Sequence, residues 1–185
     1  MRLQVAKMRE GERAQAAKES VESKAEKAAT DSVMKRRERT GDIGKSDMQE
    51  HASTDDRASA LTADIVLDGV EAGKAHDLAV DYVTKKIKFR FRHGEVSGAS
   101  IFDVSTAGGV ILVTLNTRHP VHERLFAVLG KEEGPEVQYA REVLSLIAAW
   151  ARLEDEQPSE KLRQGIERIR FDWGGMAMDF FEVEN

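Results

Sequence analysis

The residues best suited to chemistry follow the most apolar stretch of the chain. His119, His122 and Glu123 lie within a few positions of Asn116. Two histidines three residues apart can face one metal ion, with Glu123 as a third ligand or as a general base. A small metal-dependent hydrolase centred on His119 and His122 is therefore one alternative function.

The spacing of the two histidines argues against a metal site. The two-histidine zinc motif of a helix places its rings four residues apart, whereas here the separation is three and Pro120 intervenes. We therefore expect no bound metal. Asn116 and His119 should instead hydrogen-bond the corner between a strand and a helix, while His122 and Glu123 point to solvent.

No other pattern in the sequence predicts catalysis. The chain has no cysteine, which excludes thiolate nucleophiles, thiolate metal sites and disulfides. Ser97, Ser100 and Ser105 do not lie in a nucleophile elbow. Gly108-Gly109 is typical of a turn, because no Lys-Ser or Lys-Thr pair follows it as in a phosphate-binding loop. We expect a non-catalytic protein that needs no cofactor.

Two basic clusters are candidates for contact with the phosphates of a nucleic acid. The first comprises Lys35, Arg36, Arg37 and Arg39, and the second comprises Lys85, Lys86, Lys88, Arg90 and Arg92. A nucleic-acid-binding accessory domain is the other alternative function. Against it, the net charge of the chain is −5, and no aromatic residues interleave with the exposed basic positions of the second cluster to stack on bases.

Charge and apolar content divide the chain into three parts. Residues 1–40 hold 11 Lys and Arg against 7 Asp and Glu, yet Val21 is their only large apolar residue between Gly11 and Ser32. Helix formers without an apolar stripe predict a polar helical arm. Residues 41–59, which are polar and contain two glycines, predict a flexible linker. Residues 60–185 should form the interaction domain, and we expect residues 1–59 to add little to its stability.

The N-terminal residues lack the apolar core of a signal peptide. No window of the sequence approaches the roughly 18 consecutive apolar residues that a membrane span needs. We therefore expect a cytoplasmic protein without a membrane partner.

The interaction domain has an α+β pattern. Ile87, Phe89 and Phe91 alternate with basic residues, as in a half-buried strand. Further strands are predicted at Ile101–Val104 and at Val110–Leu115, the latter being apolar on both faces and hence the most buried. Helical patterns follow to the end of the chain. We expect a small antiparallel three-stranded sheet packed with C-terminal helices.

The last predicted helix carries the clearest pattern. Its apolar residues are spaced 4, 3, 4, 3 and 4, which is the 3.5-residue period of a coiled coil. The residues of this stripe are Leu162, Ile166, Ile169, Trp173, Met176 and Phe180. We expect a stripe of the preceding helix, from Val137 to Ala151, to cover one side of it.

The remaining apolar surface at this end of the chain predicts an interface. Trp173 is the expected anchor, with Met176, Phe180 and Phe181 beside it. The two glycines that follow Trp173 cost helix stability relative to alanine. A close approach of another backbone at Gly174-Gly175 would explain them.

Two parts of the sequence resemble a known superfamily. GGVILVTLNTRHPVHERLF (108–126) is similar to a strand-Asn-x-x-His-Pro-helix element near the C-terminus of large bacterial ATPases of the GHKL superfamily, which includes gyrase B, histidine kinases and the ninety-kilodalton heat-shock chaperone. LSLIAAWARLEDEQ (144–157) and IRFDWGGMAMDFF (169–181) resemble the two helices that close those ATPases. Several of them occur in restriction or phage-defence systems.

The resemblance implies a role beside an ATPase. The Glu-x-x-x-Asn helix, the Asp-x-Gly-x-Gly loop and the Gly-rich lid of the superfamily's nucleotide site do not occur in this sequence. The chain would then be an accessory or C-terminal assembly module that associates with itself, with an ATPase partner, or with both. No functional residue is carried over from the superfamily.

Overall fold

The computed structural model describes residues 22–126 and 134–182. The helices are α1 (22–40), α2 (Lys45–Met48), α3 (Thr54–Leu67), α4 (Ala72–Thr84), α5 (Pro135–Asp155) and α6 (Glu160–Glu182), with a 3-10 turn at Gln49–His51 and a π-helical turn at His122–Phe126. The strands are β1 (Phe89–Gly94), β2 (Phe102–Ala107) and β3 (Val110–Asn116). The expected α+β class, with a three-stranded sheet against C-terminal helices, is confirmed.

The sheet is mixed rather than antiparallel throughout. Its strand order is β1-β3-β2, with β2 antiparallel to β3 and β1 parallel to β3. A tight turn joins β2 to β3 through Gly108 and Gly109, whose φ angles of +58° and +86° favour glycine. The expectation of a wholly antiparallel sheet was wrong for β1, because the chain after β1 crosses to the far side of β3 before it forms β2.

Strand β3 lies at the centre because both of its faces are apolar. Ile111, Val113 and Leu115 point into a core that also contains residues of β1, α1 and α5. Val110 and Leu112 point to the opposite side, where α3 and α4 pack. The prediction that this strand is the most buried agrees with its position between two helical layers.

Helix α1 packs on the domain instead of forming a solvated arm over its described part. Ala25, Ala29 and Val33, four residues apart, are buried in the main core. Its side chains also cover the free edge of β1, since Glu26 accepts from the backbone N–H of Phe91 at 2.8 Å. The sequence pattern concealed this contact because alanines, rather than large apolar residues, form the packing stripe. Residues 1–21 of the expected arm lie outside the described part of the chain.

The segment expected to be a flexible linker, 41–59, has defined structure. It contains α2, the 3-10 turn and the start of α3, where the Ser53 side chain caps the helix by accepting from the N–H of Asp56. Ser46 and Asp47 are buried. Polar contacts rather than apolar ones hold this segment, and for that reason its low apolar content was misleading.

A buried ionic network ties the segment to the rest of the fold. The Asp47 carboxylate lies 2.8 Å from Nζ of Lys88, which immediately precedes β1, and 2.8 Å from Nη2 of Arg152 in α5. Each of the three side chains is at most 4% exposed. Arg152 also pairs with Asp155, whose carboxylate accepts from the N–H and hydroxyl of Ser46. Burial alone would raise the pKa of Asp47, but hydrogen bonds from Arg152 and Lys88 lower it to about 2.

None of the helices described is long and apolar enough to cross a membrane.

The packing of α1 can be tested by truncating one buried side chain. Val33→Ala should lower the free energy of unfolding by about 2 kcal/mol, because it removes buried methyl groups from the main core. Met34→Ala, at the exposed neighbouring position, should change it by less than about 0.5 kcal/mol. Denaturant unfolding measures both. Equal and small effects would mean that α1 does not pack on the domain.

Candidate functional site

The two histidines considered as metal ligands are directed to different places. His119 is buried; its Nε2 contacts the carbonyl oxygen of Gly174 at 3.0 Å and its Nδ1 accepts from the N–H of Val121. Both of its ring nitrogens are therefore used by the protein, and it joins the strand-to-helix corner to α6. Asn116 accepts from the N–H of Arg118 at the same corner.

His122 contacts a histidine that the sequence analysis did not select. Its Nε2 lies 2.6 Å from Nδ1 of His93, and Nε2 of His93 lies 2.5 Å from Glu22. His122 therefore does not point simply to solvent, although Glu123 is exposed. Across residues 22–126 and 134–182, no group of three or more candidate ligands is arranged to hold a metal ion.

Most of the basic residues proposed for nucleic-acid binding are paired with carboxylates. In the first cluster, Arg36 pairs with Glu156 and Asp42, Arg37 pairs with Asp47 and Glu50, and Lys35 and Arg39 are exposed. In the second cluster, Lys88 pairs with Asp47 and Glu50, Arg90 with Asp68, and Arg92 with Asp64 and Asp68. Paired charges release few counterions when they meet phosphate, so the structure gives these clusters little basic character.

A groove of about 980 Å³ lies between α1, α4 and β1. Glu26 lies in its wall, where it accepts hydrogen bonds from the Tyr82 hydroxyl at 2.6 Å and from Phe91 N–H. Burial raises the pKa of Glu26 to about 7, and these two hydrogen bonds only partly oppose the effect. Arg90 and Arg92 also lie in the wall of the groove. Both guanidinium groups are paired with carboxylates, as described above, so neither offers an unpaired positive charge to the groove.

The apolar stripe of α6 does not face the interior. The interior side of the helix is formed by Arg170 and Gly174, which are both buried. Arg170 donates to the carbonyl oxygen of Phe102 and pairs with Glu154 of α5. The stripe lies about a quarter turn away from these residues, at 100° per residue.

At Gly174, α6 lies close to another backbone segment. A Cβ atom at this position would overlap the carbonyl oxygen of Ala99 and come within 2.8 Å of the Cα atom of Ser100. The predicted backbone approach is thereby confirmed for Gly174. At Gly175 a Cβ atom would meet only the Ala99 side chain, at an ordinary 3.6 Å.

The stripe of α6 is largely exposed to solvent. Met176 is 64% exposed and Phe180 is 80% exposed, while Trp173 is 44% exposed. Trp173 stacks on Trp150 of α5, with ring centroids 5.6 Å apart and planes 13° from parallel. Phe181, the fourth residue expected at an interface, instead packs against the main core beneath the guanidinium group of Arg124.

Helix α5 carries a second apolar stripe that the sequence analysis missed. The stripe from Val137 to Ala151 faces the sheet core, so the expectation that it covers the α6 stripe was wrong. A separate set, spaced 4, 3, 4 and 3, lies on the outer side of α5: Tyr139, Val143, Leu146, Trp150 and Leu153. This heptad spacing could have been recognised in the sequence. It was overlooked because the stripe from Val137 to Ala151 on the same helix is equally regular.

The two stripes meet where Trp150 stacks on Trp173. Trp150 contacts Trp173 and, one turn further along α5, Glu154 contacts Arg170, so the two helices are antiparallel. Leu146, 72% exposed, is thus carried toward the half of α6 that contains Met176 and Phe180. We call the combined surface of the two stripes the α5–α6 face. It carries eight of the fifteen large apolar residues that are exposed in the described part of the chain.

No protein-family model matches the chain, and no curated protein or solved structure matches it significantly.

The raised pKa of Glu26 predicts a pH dependence of stability. The folded state binds this proton more tightly than the unfolded state, whose pKa is near 4.5, so stability from this group is full below pH 4.5 and is lost as the pH rises through about 7. The loss amounts to about 3 kcal/mol. Glu26→Gln, an isosteric neutral side chain, should remove it.

The effect is measured as the difference in unfolding free energy between the wild type and Glu26→Gln, determined at several values from pH 4.5 to pH 8. That difference is needed because burial also raises the pKa of Glu154 and Asp155. Asp47 does not interfere, since its contribution is lost only at more acidic pH, as the pH falls toward about 2. Parallel pH profiles for the wild type and Glu26→Gln would contradict the assignment.

The close approach at Gly174 predicts opposite effects for two glycines of α6. Gly174→Ala should destabilise the protein by about 2–3 kcal/mol, because its Cβ atom meets backbone that cannot move aside cheaply. Gly165→Ala, where nothing lies within 4 Å, should stabilise it by up to about 1 kcal/mol through helix propensity. Thermal and denaturant melts of both variants decide. A neutral Gly174→Ala would show that α6 can sit farther from the sheet.

Proposed function

We propose that this chain is a non-catalytic interaction and assembly module that binds protein through the α5–α6 face. The observation that carries the proposal is that both stripes have heptad spacing and contain large apolar residues that are exposed to solvent. A helix with one apolar stripe buries it in its own domain. Here α5 and α6 each have a buried side and, on another side, an apolar stripe with exposed members; on α5 these are Tyr139, Leu146 and Leu153, whereas Val143 and Trp150 also pack partly against the core.

The size of the face supports an interaction rather than chance exposure. Single exposed apolar residues are ordinary on soluble proteins, whereas contiguous apolar patches mark binding surfaces. Leu146, Met176 and Phe180 are each more than 60% exposed. The stacked tryptophans at the middle of the face are the residue type most enriched at the centres of protein interfaces.

The alternatives have less support. The basic clusters are largely neutralised by carboxylates, and the two candidate metal-binding histidines are directed to different partners. Association with a GHKL-type ATPase system, in phage defence or otherwise, is carried only by the sequence resemblance and stays a prediction. It is compatible with an assembly module, because such a module would supply contacts rather than nucleotide chemistry.

Site-specific photo-crosslinking in cells tests the proposal. A photoreactive phenylalanine analogue placed at Leu146 or Met176 should give covalent adducts with protein, because both side chains lie on the α5–α6 face. The same analogue at Leu67, which is 84% exposed at the end of α3, is the matched control and should give none. Adducts should also disappear when Phe180→Glu is added. Equal yields at all three positions, or none at any, would contradict the proposed function.

A further inference from the structure

We infer that the occupant of the α5–α6 face is a second copy of this chain, with the α6 stripes of the two copies packed antiparallel about a two-fold axis. The inference rests on the proposed function and names its partner. The axis passes level with Phe171, midway along the stripe from Leu162 to Phe180. Both α5 stripes then lie on the same side of the α6 pair, because the two-fold axis is perpendicular to the helices.

The spacing of the α6 stripe is symmetric about its centre. The steps 4, 3, 4, 3 and 4 read the same in both directions, so two antiparallel copies bring every stripe residue level with another stripe residue. The three layers are Leu162 with Phe180, Ile166 with Met176, and Ile169 with Trp173, each formed twice. Each layer joins a smaller aliphatic residue to a larger one, which suits close packing across a two-fold interface.

The charges beside the stripe have the same symmetry. Lys161 and Arg168 lie on the outer flank of the first half of α6, and Asp172 and Asp179 lie on that flank of the second half; all four are exposed. Antiparallel pairing places Lys161 near Asp179 of the second copy and Arg168 near Asp172 of the second copy. A parallel two-fold pairing would instead place these flanks on opposite sides of the interface, where the complementary charges could not meet. Complementary rim charges of this kind set orientation more than affinity.

The apolar area is sufficient for a stable dimer. The large exposed residues of the two stripes are between 44% and 80% exposed: Tyr139, Leu146, Leu153, Leu162, Ile169, Trp173, Met176 and Phe180. Together they present on the order of 1,000 Å² in each copy, compared with about 800 Å² per partner in a standard interface. A membrane surface is a poorer occupant, because the carboxylates of Asp172, Asp179 and Glu142 border the face and offset the attraction of anionic lipid for Lys161 and Arg168.

The mass of the purified full chain in solution gives the first test. Sedimentation equilibrium should find a species of twice 20.6 kDa. Met176→Glu should raise the dimer dissociation constant at least tenfold, because it introduces a charge into the apolar layer with Ile166. It should leave the circular dichroism spectrum of the monomer unchanged, since Met176 is mostly exposed. Leu67→Glu, the matched control, should remain dimeric.

Engineered cysteines test the orientation, because the natural chain has none. Leu162→Cys and Phe180→Cys are separated by about 27 Å along α6. Antiparallel pairing therefore predicts no disulfide-linked dimer from either variant alone and a linked heterodimer when the two are mixed under mild oxidation. Leu67→Cys, mixed with either variant, should give none.

The outcomes separate this inference from the proposed function. The wild type could be monomeric at all concentrations and still crosslink to other proteins in cells at Leu146 and Met176. This result would contradict the inferred dimer but not the proposed function. A dimer that persists in Met176→Glu would overturn the inferred interface. Linked homodimers of Phe180→Cys alone would overturn the antiparallel arrangement.

Discussion

The buried ion pairs of Asp47 with Lys88 and Arg152 connect parts of the chain that share few apolar contacts. They join α2 to β1 and to α5, and Asp155 extends the connection to Ser46. Buried charges are costly unless every member of the set is paired, and removal of one partner leaves the others uncompensated. The network therefore acts as a single unit. It holds the C-terminal end of α5, while the stripe from Val137 to Ala151 packs in the main core and leaves the opposite side of the helix toward solvent.

Helices α5 and α6 each pack on the domain with one side and present apolar residues to solvent on another side. On α5, Leu144 and Ile147 serve the core, while Leu146 and Trp150 border the solvent side. On α6, the side toward the core combines polar and apolar contacts: Arg170 donates to the carbonyl oxygen of Phe102, Gly174 touches backbone, and Ala177 and Phe181 pack against the main core. Anchoring by hydrogen bonds leaves the apolar side of α6 available. In this arrangement the most regular apolar pattern of the sequence lies at the surface.

The basic residues of β1 illustrate how partner carboxylates change the meaning of a charge run. Arg90 and Arg92 project toward α3, where Asp64 and Asp68 neutralise them, and Lys88 enters the ionic network. Their role is thus to hold α2 and α3 against the sheet. The edge of β1 is also covered, since Glu26 of α1 accepts from the N–H of Phe91 and Thr30 of α1 accepts from the N–H of Lys88, just before the strand. Covered edges protect a small sheet from pairing with other chains.

The sequence by itself determined the α+β class, the three strands, the central place of β3 and the close approach at Gly174, because alternation, helical period and glycine placement are local properties of the chain. Only the tertiary structure decided which surfaces of these elements pack against one another. Alanines of α1 pack in the main core. Ser46 and Asp47 are buried in a segment that the sequence predicted to be a linker. The crossover after β1 makes its pairing with β3 parallel. The stripe of α6 followed the same rule: its period was readable, but whether it faced inward depended on Arg170 and Gly174 finding partners far away in sequence. Contacts between distant residues leave no periodic trace. For that reason the α5 half of the α5–α6 face emerged only from the fold, whereas Trp173, Met176 and Phe180 were already expected at an interface from the sequence.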